Sequence, residues 1–310
     1  MKILIAGGLG FLGINLIKKI NSLNLNIQIT CLDNLQTSYI NNLNQIGTKT
    51  KFIEHDIKRK IEIDRHDIIF NLACPASPPL YQIDPIDTIK TSFIGTLNLL
   101  EMATKNKSRL IQASTSEVYG DPLMHPQNEN YWGNVNPIGV RSCYDEGKRS
   151  AETLCMDFHR TKNTNVNIIR IFNTYGPYMR KDDGRVVSNF INAALKNEFI
   201  EIYGDGKQTR SFCYVDDLVN AFVKIIHKND LPPDPINLGN PTEFDMNELS
   251  KIVIKLTQSK SKIIHKELPS DDPTKRKPNI DKAKKLLNWS PTVNLEQGLE
   301  NTIEYFKSNL

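Results

Sequence analysis

What this chain has little of narrows its possibilities first. Its 310 residues include five cysteines, an odd number without Cys-x-x-Cys spacing. That argues against a disulfide framework or a zinc site, so no metal is expected and a reducing compartment suits the chain. No apolar run is long enough to cross a bilayer, so no membrane association is expected. Neither charge dominates: 39 Lys and Arg stand against 35 Asp and Glu, a formal net charge of +4. With no long basic run, no nucleic-acid partner is expected. The short cluster Lys275, Arg276, Lys277 is better suited to a small anionic ligand. Repeats and low-complexity tracts are also lacking. The first apolar run begins at Lys2, which leaves no room for a signal peptide, and a cytoplasmic protein is expected.

What is present is alternation. Lys2 to Ala6, Ile27 to Leu32, Lys51 to Glu54, Asp67 to Leu72, Arg109 to Ala113 and Asn167 to Phe172 read as strands. Helical spacing runs from Asn15 to Ile20, from Thr88 to Lys105 with Ile89, Phe93, Leu97 and Leu100 on one face, and from Ser142 to Arg160. Strands alternating with helices imply a doubly wound parallel sheet of the Rossmann type. After Asn173 the segments shorten and Pro and Gly interrupt them. The expectation is a larger domain over 1–173 with a return near 211–240, and a smaller interleaved region over 174–310. Val186 to Leu195, Asp216 to His227, Asp245 to Leu256 and Asn294 to Phe306 read as helices, and Ile263 to Leu268 as a strand.

Gly7, Gly10 and Gly13 follow the first strand and open a helix. The first glycine permits the tight turn, the second lets the backbone approach a pyrophosphate, and the third lets helix and strand pack closely. The helix N-terminus offers unpaired N–H groups to the phosphates. Asp33 ends the second strand about 20 residues on, where a carboxylate accepts from both ribose hydroxyls and repels a 2′-phosphate. No Arg or Lys lies within Asn34 to Asn44, so NAD is favoured over NADP. Asp56 is placed to meet the adenine.

Tyr144 and Lys148 form Y-x-x-x-K at the start of a helix and share a face. An ammonium there favours the phenolate, which predicts a lowered tyrosine pKa and a base for a sugar hydroxyl. Ser114-Thr115-Ser116-Glu117 sits just after the fifth strand, at the sheet edge where ligands bind.

Further strings occur in a fixed order. Ser114-Thr115-Ser116-Glu117-Val118-Tyr119-Gly120-Asp121-Pro122 precedes Tyr131-Trp132-Gly133, Asn136-Pro137-Ile138-Gly139 and Cys143-Tyr144-Asp145-Glu146-Gly147-Lys148-Arg149. Arg170-Ile171-Phe172-Asn173-Thr174, Asp183-Gly184-Arg185-Val186, Gln208-Thr209-Arg210 and Asp272-Pro273-Thr274-Lys275-Arg276-Lys277-Pro278 follow. Together they closely resemble the UDP-glucuronate decarboxylases, or UDP-xylose synthases, of the extended short-chain dehydrogenase/reductase family. The resemblance covers essentially the whole chain.

That resemblance implies a cycle. Tyr144 removes the C4 hydroxyl proton while the C4 hydride passes to NAD, assisted by Lys148. The 4-keto sugar loses carbon dioxide, with Tyr144 and Thr115 bonded to the developing oxyanion and Glu117 near C5 and C6. Hydride then returns to give UDP-xylose. The implied NAD contacts are Gly7, Gly10, Phe11, Leu12, Gly13, Asp33, Asn34, Thr37, Asp56, Ile57, Leu72, Thr91, Tyr144 and Lys148. Arg276 is implied at the sugar carboxylate, Arg210 at the pyrophosphate, and Asn173, Arg185 and Tyr203 along the UDP pocket. Lys90 and Asn98 lie on a helix that the family turns toward the site. Relatives of this kind pair long helices into a four-helix bundle, so a homodimer through Thr88 to Lys105 and Ser142 to Arg160 is expected.

One segment departs from the family pattern. After Asp33-Asn34 the family usually shows a Thr-Gly turn with basic residues, and here Thr37-Ser38-Tyr39-Ile40-Asn41 stands instead. The Pro-rich turn after the fourth strand also begins with Cys74. A variant that releases the 4-keto pentose, a UDP-apiose/xylose synthase, a nucleotide-sugar 4,6-dehydratase and a 4-epimerase are enzymatic alternatives. The dehydratase needs an acid beside Glu117, where Ser116 stands. A silent NAD sensor would commonly lack the Tyr144 and Lys148 that this chain keeps.

Overall fold

The computed structural model describes residues 1–23, 25–267 and 275–309. Its centre is a seven-stranded parallel sheet. Six strands come from the first half: β1 (Lys2–Ala6), β2 (Gln28–Asp33), β3 (Lys51–Glu54), β4 (Ile68–Asn71), β5 (Arg109–Thr115) and β6 (Val166–Ile171). The order from one edge is β3-β2-β1-β4-β5-β6, and strand Ile236–Leu238 closes the other edge beside β6. The apolar residues alternate faces as the pleat requires. Ile3, Ile5, Ile29, Phe70 and Ile111 pack into the core on one side, and Leu4, Ala6, Leu32, Ile69 and Leu110 into the core on the other. A sheet buried on both faces needs such continuous apolar strands, which is why β1 lacks a polar position after Lys2.

Strand order reverses between β1 and β4, and a crevice opens there at their carboxyl ends. The helix Phe11–Ser22 starts in that crevice, and helix Val215–His227 packs against it. Helix Met246–Thr257 starts one residue later than its pattern suggests because Asp245 caps it, in a reciprocal capping box with Glu248. Asn294 likewise caps Leu295–Ser308.

The helix read as Thr88 to Lys105 is three pieces: Pro85–Lys90, a π turn over Thr91–Gly95, and Thr96–Asn106. A wider turn shifts the phase of everything after it. The single apolar face expected there is therefore split: Ile89 and Phe93 are exposed, whereas Leu100 is fully buried.

The second half adds three small sheets. Cys213–Tyr214 pairs with Thr174–Tyr175, and Ile263–Lys266 pairs with Ile200–Tyr203. Leu268, the expected end of that strand, lies outside the described residues, as do Asp272, Pro273 and Thr274. In the third sheet Lys275–Arg276 runs parallel to Thr209–Ser211, with Arg276 opposite Arg210 in register.

Candidate active site

Two connected cavities occupy the crevice. The smaller, about 150 Å³, is lined by Gly7, Gly10, Phe11, Leu12, Gly13, Asp33, Asn34, Thr37, Ile57, Leu72 and Thr91. The larger, about 750 Å³, is lined by Thr115, Glu117, Tyr144, Lys148, Asn173, Arg185, Tyr203, Arg210 and Arg276. Phe11, Leu12, Leu72, Cys74 and Arg185 line both, so the two form one groove.

The glycine turn is built for a close ligand. Gly7 has φ +76° and sits so near β4 that a Cβ would fall 2.8 Å from the Ala73 nitrogen. A Cβ on Gly13 would lie 2.3 Å from the Gly7 carbonyl oxygen. The following helix has no side-chain cap and no acidic residue in its first turn, so its N–H groups and dipole face the groove uncompensated. Asp33 is buried at the β2 terminus. Its carboxylate accepts from the Leu9 and Leu35 backbone nitrogens at 3.0 and 2.9 Å and from the Ser38 hydroxyl at 2.8 Å. This glycine cradle and positioned carboxylate fit a dinucleotide with a free ribose diol.

Tyr144 and Lys148 lie together on helix Ser142–Lys162, both buried. The ammonium is 5.8 Å from the phenol ring centroid and donates to the Ala113 carbonyl at 3.0 Å. The tyrosine pKa is not lowered, contrary to expectation. Burial pushes it far up, and the neighbouring Cys74, Glu117 and Asp145 add to that against a hydrogen bond with Thr115. Desolvation of the phenolate is the largest cause. The Tyr144 ring also stacks on Tyr81, centroids 5.1 Å apart and planes within 3°.

Glu117 forms the polar end of the larger cavity. Its Oε2 lies 2.5 Å from an Arg141 nitrogen and 3.2 Å from an Arg276 nitrogen. A second Arg276 nitrogen donates to the Ser116 carbonyl at 2.8 Å. Burial alone would raise this carboxyl, but Arg276, Arg141 and Arg210 outweigh it and hold it at about 2. Arg141 also lies 4.0 Å from Asp145. Burial and the Glu117 charge push Asp145 up to about 7 despite Arg141 and Arg276.

The expected residues do not all converge. Lys90 is exposed and lines neither cavity. Asn98 is spent elsewhere, its amide donating to the Ile57 and Arg59 carbonyls at 2.7 and 3.3 Å. Asp56 does not line the groove either. Its carboxylate accepts from the Lys58 backbone nitrogen and pairs with the Lys58 ammonium, both at 2.9 Å. Sequence reasoning missed Arg141, Asp145 and Tyr81. A charged residue one turn before Tyr144 was the available signal for Arg141.

Residues 3–239 match the model of the NAD dependent epimerase/dehydratase family. The chain belongs to that family. The UDP-glucuronic acid decarboxylase 3 of Arabidopsis thaliana is 51% identical over 314 residues, covering 100% of this chain and 90% of that protein. The UDP-glucuronic acid decarboxylase 1 of Xenopus tropicalis is 48% identical over 311 residues, covering 100% and 73%. Among solved structures of family-like fold, a UDP-glucuronic acid 4-epimerase from Bacillus cereus, in complex with UDP-glucuronic acid and NAD, superposes with TM-score 0.90 at 27% identity, over 100% of both chains.

Proposed function

We propose that this chain is an NAD-dependent UDP-glucuronate decarboxylase that makes UDP-xylose through a transient 4-keto sugar. One observation carries the reading beyond family membership: the guanidiniums of Arg276 and Arg141 both reach the carboxylate of Glu117, in the cavity that Tyr144 and Arg210 also line. A second carboxylate, the sugar C6, can lie in the same cavity, which Arg276, Arg141 and Arg210 all line. Decarboxylase relatives near half identity over the whole chain point the same way.

When bound, NAD would supply a reversible two-electron oxidation at sugar C4 and the positive charge of its oxidised form. Gly7, Gly10 and Gly13 would hold its pyrophosphate at the helix N-terminus, and Asp33 its adenosine ribose. Asn34, Thr37, Ile57, Leu72 and Thr91 line its path. Tyr144 would take the C4 hydroxyl proton, with Lys148, fixed on the Ala113 carbonyl, and the positive charge of bound NAD offsetting the burial that raises the phenol. With a ketone at C4, the C6 carboxylate is β to it. The C5–C6 bond then breaks as carbon dioxide leaves, and its electron pair delocalises onto the ketone oxygen. Tyr144 and Thr115 hydrogen-bond that oxygen. Arg276 aims the carboxylate, while Glu117 limits how strongly the cations stabilise the ground state. C5 would take a proton from water, Tyr144 would return its proton to the C4 oxygen as C4 is reduced, and the cofactor would be unchanged overall. Asn173, Arg185, Tyr203 and Arg210 line the UDP end.

Residues 1–173 with a return near 211–240 form the NAD-binding part of this reading, and 174–310 mainly the UDP-sugar part. Strand Ile236–Leu238 in the main sheet supports that division. A homodimer belongs to the proposal too. Ile86, Ile89 and Phe93 are exposed along the helical segment packed on Ser142–Lys162, the apolar surface a four-helix bundle would bury. The mass by light scattering tests it, and a single-subunit mass rejects it. Free thiols at all five cysteines suit the cytoplasm.

The deciding experiment incubates the protein with NAD and UDP-glucuronate and follows carbon dioxide and the sugar product by NMR. UDP-xylose with stoichiometric carbon dioxide is expected. No carbon dioxide release by NAD-loaded protein rejects the reading. Tyr144→Phe should lose decarboxylation while retaining NAD.

A further inference from the structure

Two segments face each other across the cofactor groove and touch at several points. One runs from Thr37 to Gln45, just past Asp33. The other is the turn from Tyr178 to Asp182, after strand Thr174–Tyr175. Thr37, Tyr39, Tyr178 and Arg180 line the groove. The Arg180 guanidinium lies 4.7 Å from the Tyr39 ring centroid and donates to the Thr37 carbonyl at 3.2 Å. It forks onto Asp182 at 2.8 and 2.6 Å. The Tyr39 hydroxyl donates to the same carboxylate at 3.2 Å. Beyond these, the Tyr178 hydroxyl donates to the Gln45 side chain at 3.4 Å.

The turn is held in an unusual shape. Tyr178 has φ +71°, a region that bulky L-residues rarely enter. Its hydroxyl is pinned by Lys18 from the helix after the glycine turn, and its ring packs 4.9 Å from Tyr305. Strain of this kind persists only where the surroundings over-determine it. The Thr37–Asn41 segment has no basic residue of its own. Arg180, 143 positions away, brings a guanidinium to that side of the groove.

We propose that Tyr39, Arg180 and Asp182 form a clasp over the adenosine end of the groove that retains NAD between turnovers. The proposal rests on the reading above, in which NAD is regenerated in each cycle and gains nothing by leaving. The clasp consists of side-chain contacts, and Tyr39 is 47% exposed. Partly exposed contacts of this kind are individually weak, so the clasp can open for loading. Its principal effect falls on the dissociation rate.

The test follows release of radiolabelled NAD from loaded protein into excess unlabelled NAD. In Arg180→Ala and Tyr39→Ala, release should speed up about tenfold, with the double variant little faster than either single one because the contacts act as a unit. UDP affinity, measured by calorimetry, should stay within about twofold of the parent, because the clasp lies at the other end of the groove. Arg180→Lys, which keeps charge without the fork, should fall between parent and alanine. If circular dichroism shows either alanine variant misfolded, Tyr39→Phe and Asp182→Asn carry the same expectation of faster release. NAD release within about twofold of the parent in the folded variants overturns the clasp. Carbon dioxide release by the parent is measured alongside. Its absence rejects the decarboxylase reading and leaves the NAD release rates to judge the clasp.

Discussion

Arg276 reaches Glu117 from a strand that lies 159 positions further along the chain, and it does so almost without solvent. Its side chain is 1% exposed, one nitrogen is 3.2 Å from the carboxylate, and another is bonded to the Ser116 carbonyl. In register beside it stands Arg210. Glu117 pairs with Arg276 and also feels the Arg210 charge. Arg276→Ala should therefore cost twice over. The kcat/KM for UDP-glucuronate should fall by roughly 10²-fold or more, the usual cost of removing a preorganised charged donor. Folding stability should fall by about 3 kcal/mol as a buried pair is broken. Steady-state kinetics and urea denaturation read the two effects, and an unchanged kcat/KM would remove Arg276 from the substrate site.

Glu117 and Asp145 give opposite pH signatures. Glu117 is held at about 2 against an ordinary 4.5. A depressed carboxyl contributes stability that is full above the unfolded value and is lost as pH falls from about 4.5 through about 2. Asp145 is raised from 3.8 to about 7. Its protonated form is favoured in the fold, so that contribution is full below about 4 and declines as pH rises toward about 7. Glu117→Gln should flatten the acid limb of a stability profile. Asp145→Asn should flatten the limb between about pH 4 and 7 and gain on the parent at pH 8. Denaturation at a series of pH values checks both. An Asp145→Asn profile parallel to the parent across that window would deny Asp145 its raised pKa.

The parts of this site legible in the sequence are those fixed by short-range backbone geometry. Gly7, Gly10 and Gly13 with Asp33 obey a local strand–turn–helix rule, and Tyr144 with Lys148 obeys helical spacing, so each is readable without knowing the fold. Arg276 stands out in the sequence only as part of a short basic cluster, and its place at Glu117 is not legible there because its partners Ser116 and Glu117 are remote in sequence. Arg141 reads as an ordinary residue before a helix until the fold brings Glu117 to it across 24 positions. The Thr88 to Lys105 face was misread because a π turn cannot be told from an α turn by periodicity, and it rotates the later residues. Tyr144 shows the converse limit: spacing gives the neighbour, but only burial decides the direction of its pKa.

Tyr81 offers a separable test of packing and polarity. Its ring stacks on Tyr144, yet its hydroxyl is buried with no hydrogen-bond partner among the described residues. Tyr81→Phe keeps the stack and removes an unsatisfied polar atom, so the melting temperature should hold or rise slightly. Tyr81→Ala opens a cavity beneath the base, costing about 3–5 kcal/mol, and should lower kcat through a displaced Tyr144. A clear destabilisation in Tyr81→Phe would show that its hydroxyl is bonded after all. Thermal melts with kcat for both variants settle the comparison.

Gly13 and Gly47 separate steric fit from backbone strain. At Gly13 a Cβ would lie 2.3 Å from the Gly7 carbonyl oxygen and 2.6 Å from the Gly8 Cα, all backbone atoms that no side-chain rotation can move. Gly13→Ala must therefore push the helix off the glycine turn, the proposed seat of the pyrophosphate. NAD affinity should fall by at least about tenfold, and stability by about 1–3 kcal/mol from the forced repacking. Gly47 has φ +75° but open space, with only the Asn21 amide at 3.8 Å. Gly47→Ala should cost about 1 kcal/mol of backbone strain and leave NAD affinity unchanged. Calorimetric NAD binding and urea denaturation on both variants distinguish the cases. Full NAD affinity in Gly13→Ala would mean that the glycine turn does not set the approach of the phosphates.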